Sequence, residues 1–168
     1  MRQRRFFLGG SVAIAVAAAE FAGVWDSPAA GATATGAAFD KIIYRDRGGF
    51  TGGGTGKSLL VSGDGIVEAR NRDGAPRILS LGQEELSELS SIVGAVDWPS
   101  IPREYLSPGA TDLVSNDLTV VIRGMEHETR VDGLAKIPHS LRELLGRLEA
   151  VYRRAMSEGR KGRSIAAP

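Results

Sequence analysis

The chain of 168 residues contains no cysteine. Disulfide stapling and a lipid anchor through an N-terminal Cys are therefore excluded, and stability has to come from a packed core. Histidine is almost missing too: there are two, His127 and His139, and neither begins a His-Glu-x-x-His zinc motif. In "EHE" at 126–128, strand alternation would put His127 on the face opposite Glu126 and Glu128, which points to surface ion pairing rather than metal binding. No serine sits in a Gly-x-Ser-x-Gly elbow. Asp112 and Asp117 fall in a segment read as loop, where aspartate does turn and cap chemistry. No catalytic constellation emerges, so neither enzymatic activity nor a metal or other cofactor is expected. An excess of one charge is also lacking. The formal net charge is +1, and beyond residue 35 basic and acidic residues are equal in number. A nucleic-acid partner, which selects a basic face, is not expected.

What is present begins with an export pattern. Arg2, Arg4 and Arg5 precede an apolar stretch from Phe6 to Ala19, and Ala-x-Ala sites follow at 30–32 and 32–34. That is the three-part layout of a secretory signal. Arg4-Arg5-Phe6-Phe7-Leu8 also resembles the twin-arginine export motif. Residues 1–34 are read as a removable signal and 35–38 as a linker, placing the mature protein in the periplasm or outside the cell. An uncleaved anchor is the alternative, but the run is short for a span and Glu20 interrupts it, so no stable membrane span is expected after signal removal.

"TGGGTGKSLL" at 51–60 resembles a phosphate-binding loop at its end, Gly56-Lys57-Ser58. The first glycine of that motif would stand at 51, where Thr51 is found. The loop also needs a helix starting at the Lys-Ser, whereas Leu59-Leu60-Val61 and Gly63-Asp64-Gly65 read as a short strand and a tight turn. A glycine-rich connection between two strands fits better.

The remaining pattern is that of one α+β domain over 39–156, followed by a polar basic tail, 157–168, expected to be disordered. Strands are expected over 39–45, 57–62, 66–70 and 118–123, with a return over 126–131, and Ile78 and Leu79 as an extension. Ser80-Leu81-Gly82-Gln83 fits a capping box, and Leu86, Leu89, Ile92, Val93 and Val96 form a helical stripe that Pro99 and Pro102 end. Trp98, Ile101, Tyr105 and Leu106 are expected to pin the connection 98–117 onto the body. Pro138 opens a final helix with Leu141, Leu144, Leu145, Leu148 and Val151 inside. The expectation is an antiparallel sheet of about four to five strands with two amphipathic helices packed on it.

The segment "RDRGGFTGGGTG", 45–56, is costly to order and has little to bury. Either Phe50 folds back into the core and the glycines turn a corner, or its ring enters a pocket of another protein. The pattern Arg45-x-Arg47-Gly48-Gly49-Phe50-Thr51-Gly52 resembles the arginine–glycine signature of the emfourin-like family. So does the order that follows it: hairpin, "LSLGQEELSELSSIV" helix, "WPSIPREYL" connection, "DLTVVIRG" strand and Leu-rich last helix. This chain adds an export signal and a longer glycine run. The resemblance implies a small bacterial protein inhibitor of protealysin and related thermolysin-like zinc metallopeptidases. The partner-binding residues would be Arg45, Asp46, Arg47, Gly48, Gly49, Phe50, Thr51 and Gly52. Phe50 would fill an apolar specificity pocket, Arg45 or Arg47 would pair with acids beside the cleft, and Asp46 would approach the zinc. The alternative is a cell-envelope or extracellular protein-binding module without inhibitory activity.

Overall fold

Alternation along the strands decides the architecture. The computed structural model describes residues 37–47, 56–72, 74–108 and 114–162, all within one unit spanning residues 33–168. The expected export segment, residues 163–168 of the tail and Gly48, Gly49, Phe50, Thr51 and Gly52 lie outside the described residues.

The elements are β1 (Lys41–Arg47), β2 (Ser58–Ser62), β3 (Ile66–Arg70), β4 (Arg77–Ser80), α1 (Gln83–Gly94), a 3₁₀ turn (Trp98–Ser100), β5 (Glu104–Tyr105), β6 (Ser115–Ile122), β7 (Met125–Asp132), α2 (His139–Glu158) and β8 (Arg160–Lys161). The class is α+β. The strands form one sheet in the order β5-β7-β6-β1-β2-β3-β4-β8, antiparallel throughout except for β5 on β7. It has eight strands rather than four to five. Two of the extra strands, β5 and β8, are two residues long. So short a stretch has no readable alternation, and its strand character comes from the neighbour it pairs with.

Two connections form as their residues require. Gly65 at φ 86° closes β2 to β3. Arg123 at φ 51° and Gly124 at φ 75° form a two-residue link from β6 to β7, the left-handed pair that suits the twist of a hairpin. Asp40 accepts a hydrogen bond from the Gly124 amide at 2.7 Å, which ties that turn to the start of β1.

One face of the sheet carries Ile42, Tyr44, Leu59, Val61, Val67, Ala69, Leu118 and Val120, all buried. Their register is direct: Ile42 opposes both Val61 and Val120, and Tyr44 opposes both Leu59 and Leu118. α2 packs over β3 and β4 and against α1. Leu141, Leu144 and Leu148 of α2 and Leu89 and Val93 of α1 are completely enclosed. At about 1.5–3 kcal/mol for each such side chain, this face supplies most of the folding drive.

Several local expectations are corrected. The N-cap of α1 is Gly82, not Ser80, which is the last residue of β4. Glu85 reaches back to the Gly82 amide at 3.1 Å and also receives Arg154 of α2, joining the two helices. The sheet takes Ser80 because its register partner Ile66 extends the β3–β4 pairing that far. Leu106 is 57 % exposed and does not pin the 98–117 connection. Trp98 does: it is buried and donates from its indole to the Val93 carbonyl at 3.0 Å. Asp117 stands inside β6 rather than in a loop.

Residues 157–162, expected to belong to a disordered tail, are structured. α2 runs to Glu158, and β8 then pairs Lys161 with Arg77 and Arg160 with Ile78. The Gly162 amide donates to the Pro76 carbonyl at 3.0 Å. Gly159 makes this turn possible, because a side chain there would meet the Ala155 carbonyl at 2.3 Å and the Ile78 carbonyl at 3.2 Å. Among the described residues, no helix is long and apolar enough to cross a membrane.

Candidate functional site

The C-terminal end of β1 leads into the glycine segment, and Arg45, Asp46 and Arg47 are its root. Strand alternation sends them to opposite faces. Arg45 and Arg47 project from the face not covered by the helices, with Ile43. Asp46 projects inward, next to Tyr44 and the Lys57–Glu149 pair, and one of its oxygens is shut off from solvent. An approach of Asp46 to a partner's zinc does not fit that direction.

Lys57, on the return from the loop, binds Glu149 of α2 at 3.1 and 3.3 Å and lies 5.6 Å from the centre of the Tyr152 ring. The Asp46 amide donates to the Lys57 carbonyl at 3.0 Å. Lys57 is therefore a structural clip holding the loop root to the helix, and Ser58 begins a strand. The lysine that resembled a phosphate ligand is committed elsewhere. Tyr44 sits in the same corner, donating to Asn116 at 3.0 Å. Burial, with the carboxylates of Glu149 and Asp46 nearby, pushes its hydroxyl up to about 12.

On the uncovered face a row of charges crosses four strands. Arg45 of β1 is the register neighbour of Asp117 in β6, Asp117 of Arg130 in β7, and Arg130 of Glu104 in β5. Both oxygens of Asp117 are occupied, one by Arg47 at 2.8 Å and the other by Arg130 at 3.0 Å. Arg130 also reaches Glu104 at 3.0 Å. These groups border a depression of about 560 Å³ floored by Ile43 and Thr119. His127 is absent from this face. It packs inward on Trp98 with ring centres 5.6 Å apart, while Glu128 looks outward, so the "EHE" residues divide as alternation requires.

A second feature lies at the same end of the sheet and was missed in the sequence. Leu106, Val114 and Leu134 are 57 %, 44 % and 68 % exposed. Leu106 follows β5, Val114 precedes β6 and Leu134 follows β7. The register sets Arg47 beside Ser115, Ser115 beside Asp132 and Tyr105 beside Val131, so all three leucine or valine residues lie at the end of the sheet where β1 leads into the glycine segment. Leu106, Pro108 and Leu134 border a cleft of about 390 Å³. Asp132, buried, is its clasp. It accepts from the Ser107 amide, from the Ser107 hydroxyl at 2.9 Å and from the Leu134 amide at 2.9 Å. Those donors, the Ser107 amide foremost, hold its carboxyl below the usual carboxylate range. The available signal was Leu134 within "DGLAK", an apolar residue directly after an Asp-Gly turn pair.

No protein-family model matches the chain, and none of the curated proteins matches it either. The chemistry therefore rests on the geometry: a mixed-charge face and an apolar cleft beside the exit of a glycine-rich loop.

Proposed function

We propose that this is an exported, non-catalytic domain that binds another protein with the loop end of its sheet. The observation that supports it most is that Leu106, Val114 and Leu134, all exposed, lie at the end of the sheet where the glycine segment leaves β1. Apolar side chains collected on two connections, β5 to β6 and β7 to α2, and rimmed by charge suit a protein interface. Asp132 ties both connections together, which reduces the entropy lost on docking.

The partner we propose is a thermolysin-like zinc metallopeptidase, inhibited through segment 45–56 and the connections beside it. This finer reading is supported by the resemblance carried by residues 45–52. Export is supported by the basic, apolar and small-residue order of residues 1–34 and by Arg4-Arg5-Phe6-Phe7-Leu8. Purified protein is expected to slow peptide hydrolysis by such an enzyme at micromolar concentration. Leu134→Asp should weaken that inhibition at least tenfold while leaving thermal unfolding in place. Undiminished hydrolysis across several enzymes of this class would remove the inhibitor reading.

A second reading, an envelope or extracellular binding module without inhibitory activity, is favoured by the charged uncovered face, whose central groups pair with one another. Capture of a structural envelope protein and no peptidase from envelope extracts would select it.

A further inference from the structure

The charge row on the uncovered face leaves arginines over. Asp117 has two acceptor oxygens and three arginines around it: Arg45 and Arg130 as register neighbours and Arg47 one step along β1. Arg47 and Arg130 take the two oxygens. Arg45 is left over, exposed and without a side-chain hydrogen bond or ion pair among the described residues. Arg103, immediately before β5, borders the same depression and is equally unpaired. Its backbone is fixed, since its carbonyl accepts from the Arg130 amide at 2.8 Å. On β7, which stands between β1 and β5 in the sheet, Glu128 also borders the depression and, unlike Asp117 and Glu104, has no partner among the described residues.

We infer that this depression binds an extended acidic segment of a partner protein, with one carboxylate on Arg45 and a second on Arg103. The inference rests on the protein-binding reading and names the chemistry of the partner. β1 and β5 are separated by three strand spacings, about 14 Å. An extended peptide advances about 3.4 Å per residue, so acidic residues four positions apart match that span. Residues at alternate positions of such a peptide share one face. The middle one meets Glu128, where a cation is favoured. The pattern selected is acid, any residue, base, any residue, acid. Ile43 and Thr119 form a flat, short floor that admits peptide backbone. Arg47, Asp117, Arg130 and Glu104 neutralise one another and brace the site. Guanidinium groups suit this task because they pair with a carboxylate through two parallel hydrogen bonds.

The test uses the full chain and the capped peptide Glu-Thr-Lys-Thr-Glu at low ionic strength, followed by the arginine Nε–Hε resonances. Saturable shifts at Arg45 and Arg103 are expected, with none from the Gln-Thr-Lys-Thr-Gln analogue. Arg45→Gln and Arg103→Gln should each weaken binding about tenfold without moving the far-ultraviolet circular dichroism melt. Equal shifts with the neutral analogue, or unchanged affinity in both variants, would overturn the inference. Inhibition of a thermolysin-like peptidase by a protein that ignores the acidic peptide also overturns it, and leaves the functional reading standing. Peptide binding without any inhibition sustains the acidic-segment site and removes the peptidase as partner.

Discussion

Leu59 and Leu60 are adjacent in β2, and they belong to different parts of the molecule. Leu59 is 1 % exposed on the face beneath the helices, whereas Leu60 is only half-buried on the face that carries Arg45 and Ile43. The same strands thus build a dense interior on one side and an open, charged surface on the other. The inner face is held by volume and dispersion, where a missing methylene leaves a void. The outer face and its loop end are held by register, ion pairs and the Asp132 clasp, which position side chains without enclosing them. Enclosed and open side chains therefore occupy alternate residues of the same segments.

That division breaks most visibly under truncation. Leu144→Ala, in the enclosed stripe of α2, should cost about 2–5 kcal/mol, read from the urea midpoint. Leu60→Ala on the other face should cost under about 1 kcal/mol. Equal losses would mean that the two faces share one core.

The pH dependence should divide the same way. Tyr44 belongs to the interior corner, and its hydroxyl is raised to about 12. A tyrosine in the unfolded chain ionises near pH 10, so the contribution of Tyr44 is complete below that value and is lost as pH rises from about 10 towards 12. Tyr44→Phe should flatten the alkaline limb of urea midpoint against pH. Asp132 belongs to the loop end, and its carboxyl is lowered. Its contribution is present above the unfolded carboxylate value near 4 and disappears as pH falls through the lower folded value. Asp132→Asn should therefore flatten the acid limb and leave the alkaline one alone. A variant that changes both limbs would join regions the structure keeps apart.

The smallest effect concerns the seam between the regions. Lys57 and Glu149 are 27 % and 30 % exposed as side chains, 3.1 Å apart. Lys57→Met keeps the aliphatic stem over Tyr152 and should cost no more than about 1 kcal/mol, while increasing hydrogen exchange at Asp46, whose amide bonds the Lys57 carbonyl. Exchange unchanged at Asp46 would show that the loop root does not depend on this clip.

Much of the fold was legible because local periodicity reports which side chains point inward. The α1 stripe is met at Leu86, Leu89, Val93 and Val96, and that of α2 at Leu141, Leu144, Leu148 and Val151. β3 falls on Ile66–Arg70, the segment expected, and the hairpin glycines stand in their turns. The edges were not legible. Glu104–Tyr105 and Arg160–Lys161 are too short to show a period, and each is a strand only because β7 or β4 presents unpaired backbone groups there. The candidate site was legible in part. Arg45 and Arg47 do border the uncovered face, but Asp46 alternates inward and Arg47 is spent on Asp117. Leu106 read as a core residue because apolarity alone does not say which end of a connection reaches the body.

Local order was thus written in the residues themselves: the two amphipathic helices, the hairpin turns, the inward set of every long strand, and the lack of any staple other than a core. Only the tertiary structure decided that β1 lies between β2 and β6. That placement brings Arg47 to Asp117, 70 positions away, and leaves Arg45 over. It also brings Leu106, Val114 and Leu134 to one end. The physical reason is that a period of two or of 3.6 specifies a face, whereas the identity of the neighbouring strand depends on distant pairings that form only when the whole sheet closes over its helices.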